Sequence, residues 1–120
     1  MRVISEASAS MTDEDVEKLG ELHGKATHAV ELLKAMANEW RLMILCQLAE
    51  GEKTVSELQN TLGLSQSALS QHLAVLRRER IVSSRKHAQS VSYSLAGADA
   101  PKVMQALHEV FCETRGERSG

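Results

Sequence analysis

A chain of 120 residues is long enough for one modest hydrophobic core, and its net charge of −2 gives no global sign of polyanion binding. Its apolar share of 42% includes one Trp, one Tyr and one Phe, so the rest is aliphatic, Met and Cys, a mix that suits helices better than a sheet sandwich. A single Pro and seven Gly argue against low-complexity disorder, no apolar run approaches the roughly 20 residues that span a bilayer, and the N-terminus lacks the charged and apolar regions of a secretory signal. The expectation is a cytoplasmic protein with no membrane contact, in which two cysteines do not form a static structural disulfide.

Residues 1–10 are small and polar and are expected to be a disordered tail, with 115–120 a second flexible tail and 11–114 a single domain between them. Thr12 is an N-cap followed by Asp13, Glu14 and Asp15, acids that suit the positive end of a helix dipole. Apolar residues then recur with helical spacing at Leu22, Ala26, Ala29, Val30, Leu33 and Ala37, and an interruption is expected near Gly24. Asn38 caps the next helix, Glu39 to Ala49. There Leu42, Leu45, Cys46 and Ala49 form one stripe with Ile44 and Leu48 beside it, the pattern of a central core helix ended by Gly51.

The run Thr54-Val55-Ser56-Glu57 is a capping box that opens a short helix through Leu58 and Leu62. Gly63-Leu64 turns the chain, Ser65 caps another helix, and Leu69, Leu73 and Leu76 form its buried stripe. Two short helices joined by a Gly-containing turn are a helix-turn-helix. After Arg80 the period changes. Ile81 to Arg85, a turn around Lys86 to Gln89, and the alternating Ser90 to Leu95 read as a hairpin with a basic tip. Pro101 lies just inside a last helix capped by Asp99 or Ala100, with Val103, Met104, Leu107, Val110 and Phe111 on its apolar face. The fold class is mainly α with a small β-hairpin: a winged helix-turn-helix.

Charge supports a nucleic-acid reading. Residues 1–24 hold six acids and two bases, whereas 77–86 hold five bases (Arg77, Arg78, Arg80, Arg85, Lys86) against Glu79. In a helix-turn-helix the second helix enters the major groove with its N-terminal residues at the base edges. Here these are Ser65, Gln66, Ser67, Ser70 and Gln71, and Gln can bond adenine bidentately. The hairpin tip, with Arg85, Lys86, His87 and Gln89, reaches phosphate or the minor groove, while Arg77, Arg78 and Arg80 act mainly on phosphates. Taken singly, a polar helix face or a basic run is an ordinary solvated surface. Their order and short spacings favour double-stranded DNA as partner. No nucleophile–base pair, phosphate loop or paired carboxylates point to an enzyme. A protein-interaction module built on the same fold differs from a DNA binder in lacking salt-dependent duplex binding.

The pieces A-N-x-x-R-L-x-I-L (Ala37 to Leu45), L-S-Q-S-A-L-S-Q-H-L-x-V-L-R (Leu64 to Arg77) and the strand ending Y-S-L (Tyr93 to Leu95) together resemble the ArsR/SmtB family of small bacterial repressors. The resemblance covers roughly residues 30–112. It implies a homodimer built from the first and last helices, an operator that is an imperfect inverted repeat, and an inducer that releases DNA. The arsenic- and cadmium-responsive members carry C-V-C-D-L where this chain has Thr54-Val55-Ser56-Glu57-Leu58, so both thiols are missing. The zinc-responsive members use several ligands on the last helix, which here offers only His108 and Glu109. Adjacent residues diverge by about 100° around a helix and chelate poorly. No metal or cofactor is expected. His23, His28, His72 and His87 form no i,i+4 pair.

On spacing alone, Cys46 reads as a small core hydrophobe and Cys112 as an incidental surface thiol. An apolar setting around Cys46 opposes its thiolate. The end of a helix does the same at Cys112, while His108 four residues earlier favours it. The pattern R-L-M-I-L-C with a terminal V-F-C resembles the persulfide-sensing members of the family. That implies Cys46 and Cys112 as a redox-sensing pair, bridged by reactive sulfur species, with sulfide-detoxification genes as targets. The alternative is a metal- or metalloid-responsive repressor using the same thiols.

Overall fold

The computed structural model describes residues 11–113, with side chains through Phe111. The tails expected at 1–10 and 115–120 lie outside the described residues. The chain gathers into two units, Met1–Glu31 and Leu32–Gly120.

Helix α1 spans Asp13–Met36. At its start, Thr12 N–H donates to Asp15 Oδ2 at 3.1 Å and Asp15 N–H donates to Thr12 Oγ1 at 3.2 Å, a capping box with Asp in the usual place of Glu. The interruption expected near Gly24 does not occur. A helical glycine costs about 1 kcal/mol against alanine, which weakens a helix without stopping it, and no proline or capping side chain offers the backbone an alternative. Along the first unit Val16, Leu19, Leu22 and Val30 are exposed. In the second unit the last turn of α1 buries Ala35 and Met36 and half-buries Leu32, whereas Leu33 and Ala37 are exposed. The expected stripe is thus one position out of step with the face that packs.

Helix α2 (Glu39–Ala49) opens at Asn38, whose Oδ1 accepts the Arg41 N–H at 3.0 Å. It buries Ile44, Leu45 and Leu48. Cys46 and Ala49 are exposed and Leu42 is half-buried, so the stripe expected to face the core splits in two. Strand β1 (Lys53–Thr54) follows; two residues carry no alternation, so nothing in the pattern announces it. Helix α3 (Val55–Leu62) has the full capping box. The Glu57 carboxylate accepts the Thr54 N–H at 2.8 Å, which holds its pKa below the ordinary range. Gly63 closes α3 at φ 70°, a left-handed conformation that favours glycine.

Helix α4 (Gln66–Arg78) starts where expected, with Ser65 Oγ accepting the Ala68 N–H at 3.1 Å, and buries Leu69, Leu73 and Leu76. Its end is a Schellman motif: Ile81 N–H reaches Leu76 O at 2.9 Å and Arg80 N–H reaches Arg77 O at 3.0 Å, with Leu76 and Ile81 both buried. The left-handed residue is Arg80, at φ 61°. Arg80→Gly is therefore expected to stabilise the fold by about 0.5–1 kcal/mol, the left-handed penalty of about 1–2 kcal/mol less the freedom glycine adds to the unfolded chain. Urea denaturation measures this; a lowered midpoint would mean that the Arg80 side chain itself holds the turn.

Strands β2 (Val82–His87) and β3 (Ser90–Leu95) pair antiparallel from Val82↔Leu95 to His87↔Ser90, and β1 joins the other edge of β3 through Lys53↔Tyr93 and Thr54↔Ser92. Lys86 and His87, expected in the turn, belong to β2; the turn is Ala88–Gln89, with Ala88 at φ 57°. Helix α5 (Asp99–His108) has Ala98 at its N-cap and no side-chain cap, so neither Asp99 nor Ala100 plays that part. Pro101 stands third in the helix, where its missing N–H has no intrahelical partner to lose. A π-helical turn, Glu109–Glu113, continues from it. The centre of the core is Ile44, Leu45, Leu58, Leu69, Leu76 and Ile81, drawn from α2, α3, α4 and the approach to β2.

Candidate nucleic-acid interface and thiol groove

With Leu69, Leu73 and Leu76 buried, α4 turns its other side outward. Gln66, Ser67, Ser70 and Gln71 are all exposed there. Ser65 is exposed too, and its oxygen already accepts the Ala68 N–H as the helix cap.

At the far end of α4, Arg77 and Arg78 are exposed and line an open polar groove with Ser70, Ala74 and Tyr93. Tyr93 comes from β3 and is legible in the sequence only as an apolar strand residue. Packing of the wing against α4 makes it part of this surface. On β2, Arg85 Nη2 donates to Glu52 Oε1 at 2.8 Å in an exposed ion pair that ties the wing to the loop before β1. Exposed pairs of this kind contribute little stability, about 0–1 kcal/mol, so Arg85 can exchange its carboxylate for a phosphate with little loss. Lys86, His87 and Gln89 are exposed around the tip.

Sequence reasoning also missed what stands behind α4. Arg41 Nε donates to Ala35 O at 2.6 Å, capping the end of α1, while its Nη1 lies 3.5 Å from His72 Nδ1 on α4. Burial, and then the Arg41 charge, hold the His72 imidazole below its usual pKa. The neutral ring can accept from Arg41, so a histidine without a sequence partner proves to brace the back of the helix.

Cys46 is not the core residue that its neighbours suggest. It is exposed and opens on a groove of about 360 Å³ between α2 and the last helix. Leu42 and Ala49 flank it from α2, while Met104, Leu107 and Phe111 face it from the other wall with Gln105 and His108. Cys112 falls in the turn Glu109–Glu113, and its side chain lies outside the described residues. The i,i+4 relation expected between His108 and Cys112 assumes α-helical geometry, which ends at His108. Among the described residues no three His, Cys, Asp or Glu side chains are placed to hold a metal ion. No described helix is long and apolar enough to cross a membrane.

A helix-turn-helix whose second helix is polar outward, with a three-stranded wing packed beside it, defines a winged helix-turn-helix transcriptional regulator. The chain belongs to the arsR family of bacterial regulatory proteins, whose sequence profile matches residues 38–84. It is 50% identical over 95 residues to the transcriptional activator HlyU of Vibrio cholerae, covering 79% of this chain and 88% of that one. It is 40% identical over 102 residues to the biofilm growth-associated repressor of Xylella fastidiosa, covering 85% and 84%. The solved structure of reduced HlyU from Vibrio cholerae matches it with a TM-score of 0.74 at 51% identity, covering 77% of this chain and 97% of that one. These relatives are transcriptional regulators rather than enzymes.

Proposed function

We propose that this protein is a homodimeric repressor that grips an inverted-repeat operator through α4 and the wing, and releases it when Cys46 and Cys112 are bridged by reactive sulfur species. The targets on this reading are genes that dispose of sulfide. The DNA half rests on the exposed Ser/Gln face of α4 and the arginines beside Tyr93. Dimerisation is supported by apolar side chains left in solvent: Val16, Leu19 and Leu22 on α1, and Val110 and Phe111 at the end of the chain's last helix.

The observation that carries the sensor half is the groove. Phe111, the chain neighbour of Cys112, lines the same groove as Cys46. The chemistry balances with one organic hydropersulfide. The Cys46 thiolate attacks the terminal sulfur of R–S–SH, the S–S bond breaks, and R–S⁻ leaves and is protonated to R–SH. The Cys112 thiolate then attacks the Cys46 sulfur of the resulting persulfide. That forms the Cys46–Cys112 disulfide and releases the outer sulfur as hydrogen sulfide. Two thiols are oxidised and one sulfane sulfur is reduced. A further equivalent of persulfide inserts sulfur and lengthens the bridge.

Peptide mass spectrometry and operator anisotropy, run on the same reduced sample before and after a persulfide donor, test this. A Cys46–Cys112 cross-linked peptide is expected together with loss of operator binding, both reversed by dithiothreitol. Cys46→Ser and Cys112→Ser are expected to bind the operator and ignore the donor. Release that persists in either serine variant, or the absence of a cross-link, would overturn the dithiol reading.

A further inference from the structure

The walls of the Cys46 groove say which carrier of reactive sulfur it admits. Leu42 and Ala49 on one side and Met104, Leu107 and Phe111 on the other present hydrocarbon, thioether and ring; Gln105 and His108 are its polar lining, and among the described residues no Lys, Arg, Asp or Glu lines it. Its volume of about 360 Å³ is at the small end of the range of about 300–1,000 Å³ usual for small-molecule sites. An ionised carboxylate or ammonium placed there loses water and meets no Lys, Arg, Asp or Glu in return, whereas an alkyl or aryl group is drawn in by burial. The thiol stands within this apolar surface rather than beyond it, so a group seated in the groove holds its own sulfur next to Cys46.

We infer that the groove between α2 and the last helix is a binding site for organosulfur compounds whose organic group is uncharged and apolar (alkyl or aryl persulfides and disulfides), and that it delivers them to Cys46 in preference to carriers of the same sulfur whose organic group is charged. This rests on Cys46 being the reacting thiol of the proposed sensor. A multiply charged peptide persulfide finds no Lys or Arg for its carboxylates in the groove, and an inorganic polysulfide anion has no organic group to fill it. The inducer is therefore a compound that carries sulfur on a greasy group.

The test uses the full-length Cys112→Ser variant and two mixed disulfides with one leaving group: benzyl 2-pyridyl disulfide and glutathionyl 2-pyridyl disulfide. In each, the Cys46 thiolate attacks the sulfur bearing the carrier and the S–S bond breaks. Pyridine-2-thiolate leaves and takes up a proton as the thione, whose absorbance gives the rate. The same pair reacting with a small free thiol sets the intrinsic ratio. The benzyl-to-glutathionyl ratio at Cys46 is expected to exceed the free-thiol ratio by about tenfold or more, the discrimination that a few methylenes of apolar contact supply.

Ala49→Lys places a cation at an exposed lining position near the end of α2, where it also suits the helix dipole. It is expected to speed the glutathionyl probe and narrow the ratio. A ratio equal to that of the free thiol, or a Cys46 that reacts with neither probe because a second copy or residues 114–120 cover the groove, overturns the inference. The two readings fail separately. If persulfide cross-links Cys46 to Cys112 in the unmodified chain but the ratio is flat, only the groove's selectivity falls. If the ratio holds and no cross-link forms, only the dithiol sensor falls.

Discussion

Leu69→Ala is expected to remove about 2–5 kcal/mol of stability, the range for deleting a fully buried leucine and leaving a cavity behind. Leu69 is 0% exposed and sits among Ile44, Leu45, Leu58, Leu76 and Ile81, the point where the helix-turn-helix meets α2 and the start of the wing. Domains of this size have about 5–15 kcal/mol in total, so one side chain accounts for a large fraction, and the midpoint of thermal unfolding should fall by about 10 °C or more. The same helix supplies the control. Ser70 is exposed, and Ser70→Ala is expected to leave stability within about 0.5 kcal/mol. Denaturant titration of both variants beside the parent decides the matter. A Leu69→Ala loss below about 1 kcal/mol would mean that α4 does not pack on α2 as described.

The contrast between these two residues of one helix also shows what can be read in advance. Where a feature depends on residues a few positions apart, the chain states it openly. Asn38, Thr54 and Ser65 each cap the helix that their position predicts, Gly63 takes the left-handed turn, and α2 runs from Glu39 to Ala49 as its pattern implies. Each of these is a local contest between a side chain and the backbone, settled within one helical turn. Features that depend on what lies across the molecule are not legible. An apolar helix such as α2 has too many greasy faces for periodicity to say which one meets the core. Cys46 therefore reads as interior, yet it lines a groove that only the last helix completes. Likewise β1 exists because β3 offers an unpaired edge, and Tyr93 reaches the arginines of α4 because the wing folds against it. The brace from Arg41 to His72 joins residues 31 positions apart, a separation at which spacing holds no information.

For the interface itself, the largest effect is expected from removing both arginines at the end of α4. Arg77→Gln with Arg78→Gln should weaken binding to operator and to unrelated duplex by similar factors, because phosphates are present in every sequence. Removing one arginine–phosphate interaction flattens the plot of log affinity against log salt by about 0.9. Two such interactions per subunit therefore reduce the slope by about 1.8 for a monomer footprint and about twice that for a dimer on an inverted repeat. Both side chains are exposed; at the last turn of a helix they contribute no more than about 0.3–1 kcal/mol through the dipole, so the fold should survive nearly intact. Gln71→Ala is expected to behave in the opposite way, lowering operator affinity by about 1–3 kcal/mol while leaving unrelated duplex and the salt slope alone. Anisotropy titrations at several salt concentrations on both duplexes separate the two patterns. A double-arginine variant with an unchanged slope would place Arg77 and Arg78 off the phosphates and move that role to the wing. There Arg85, once parted from Glu52, and Lys86 are the cations placed to take it.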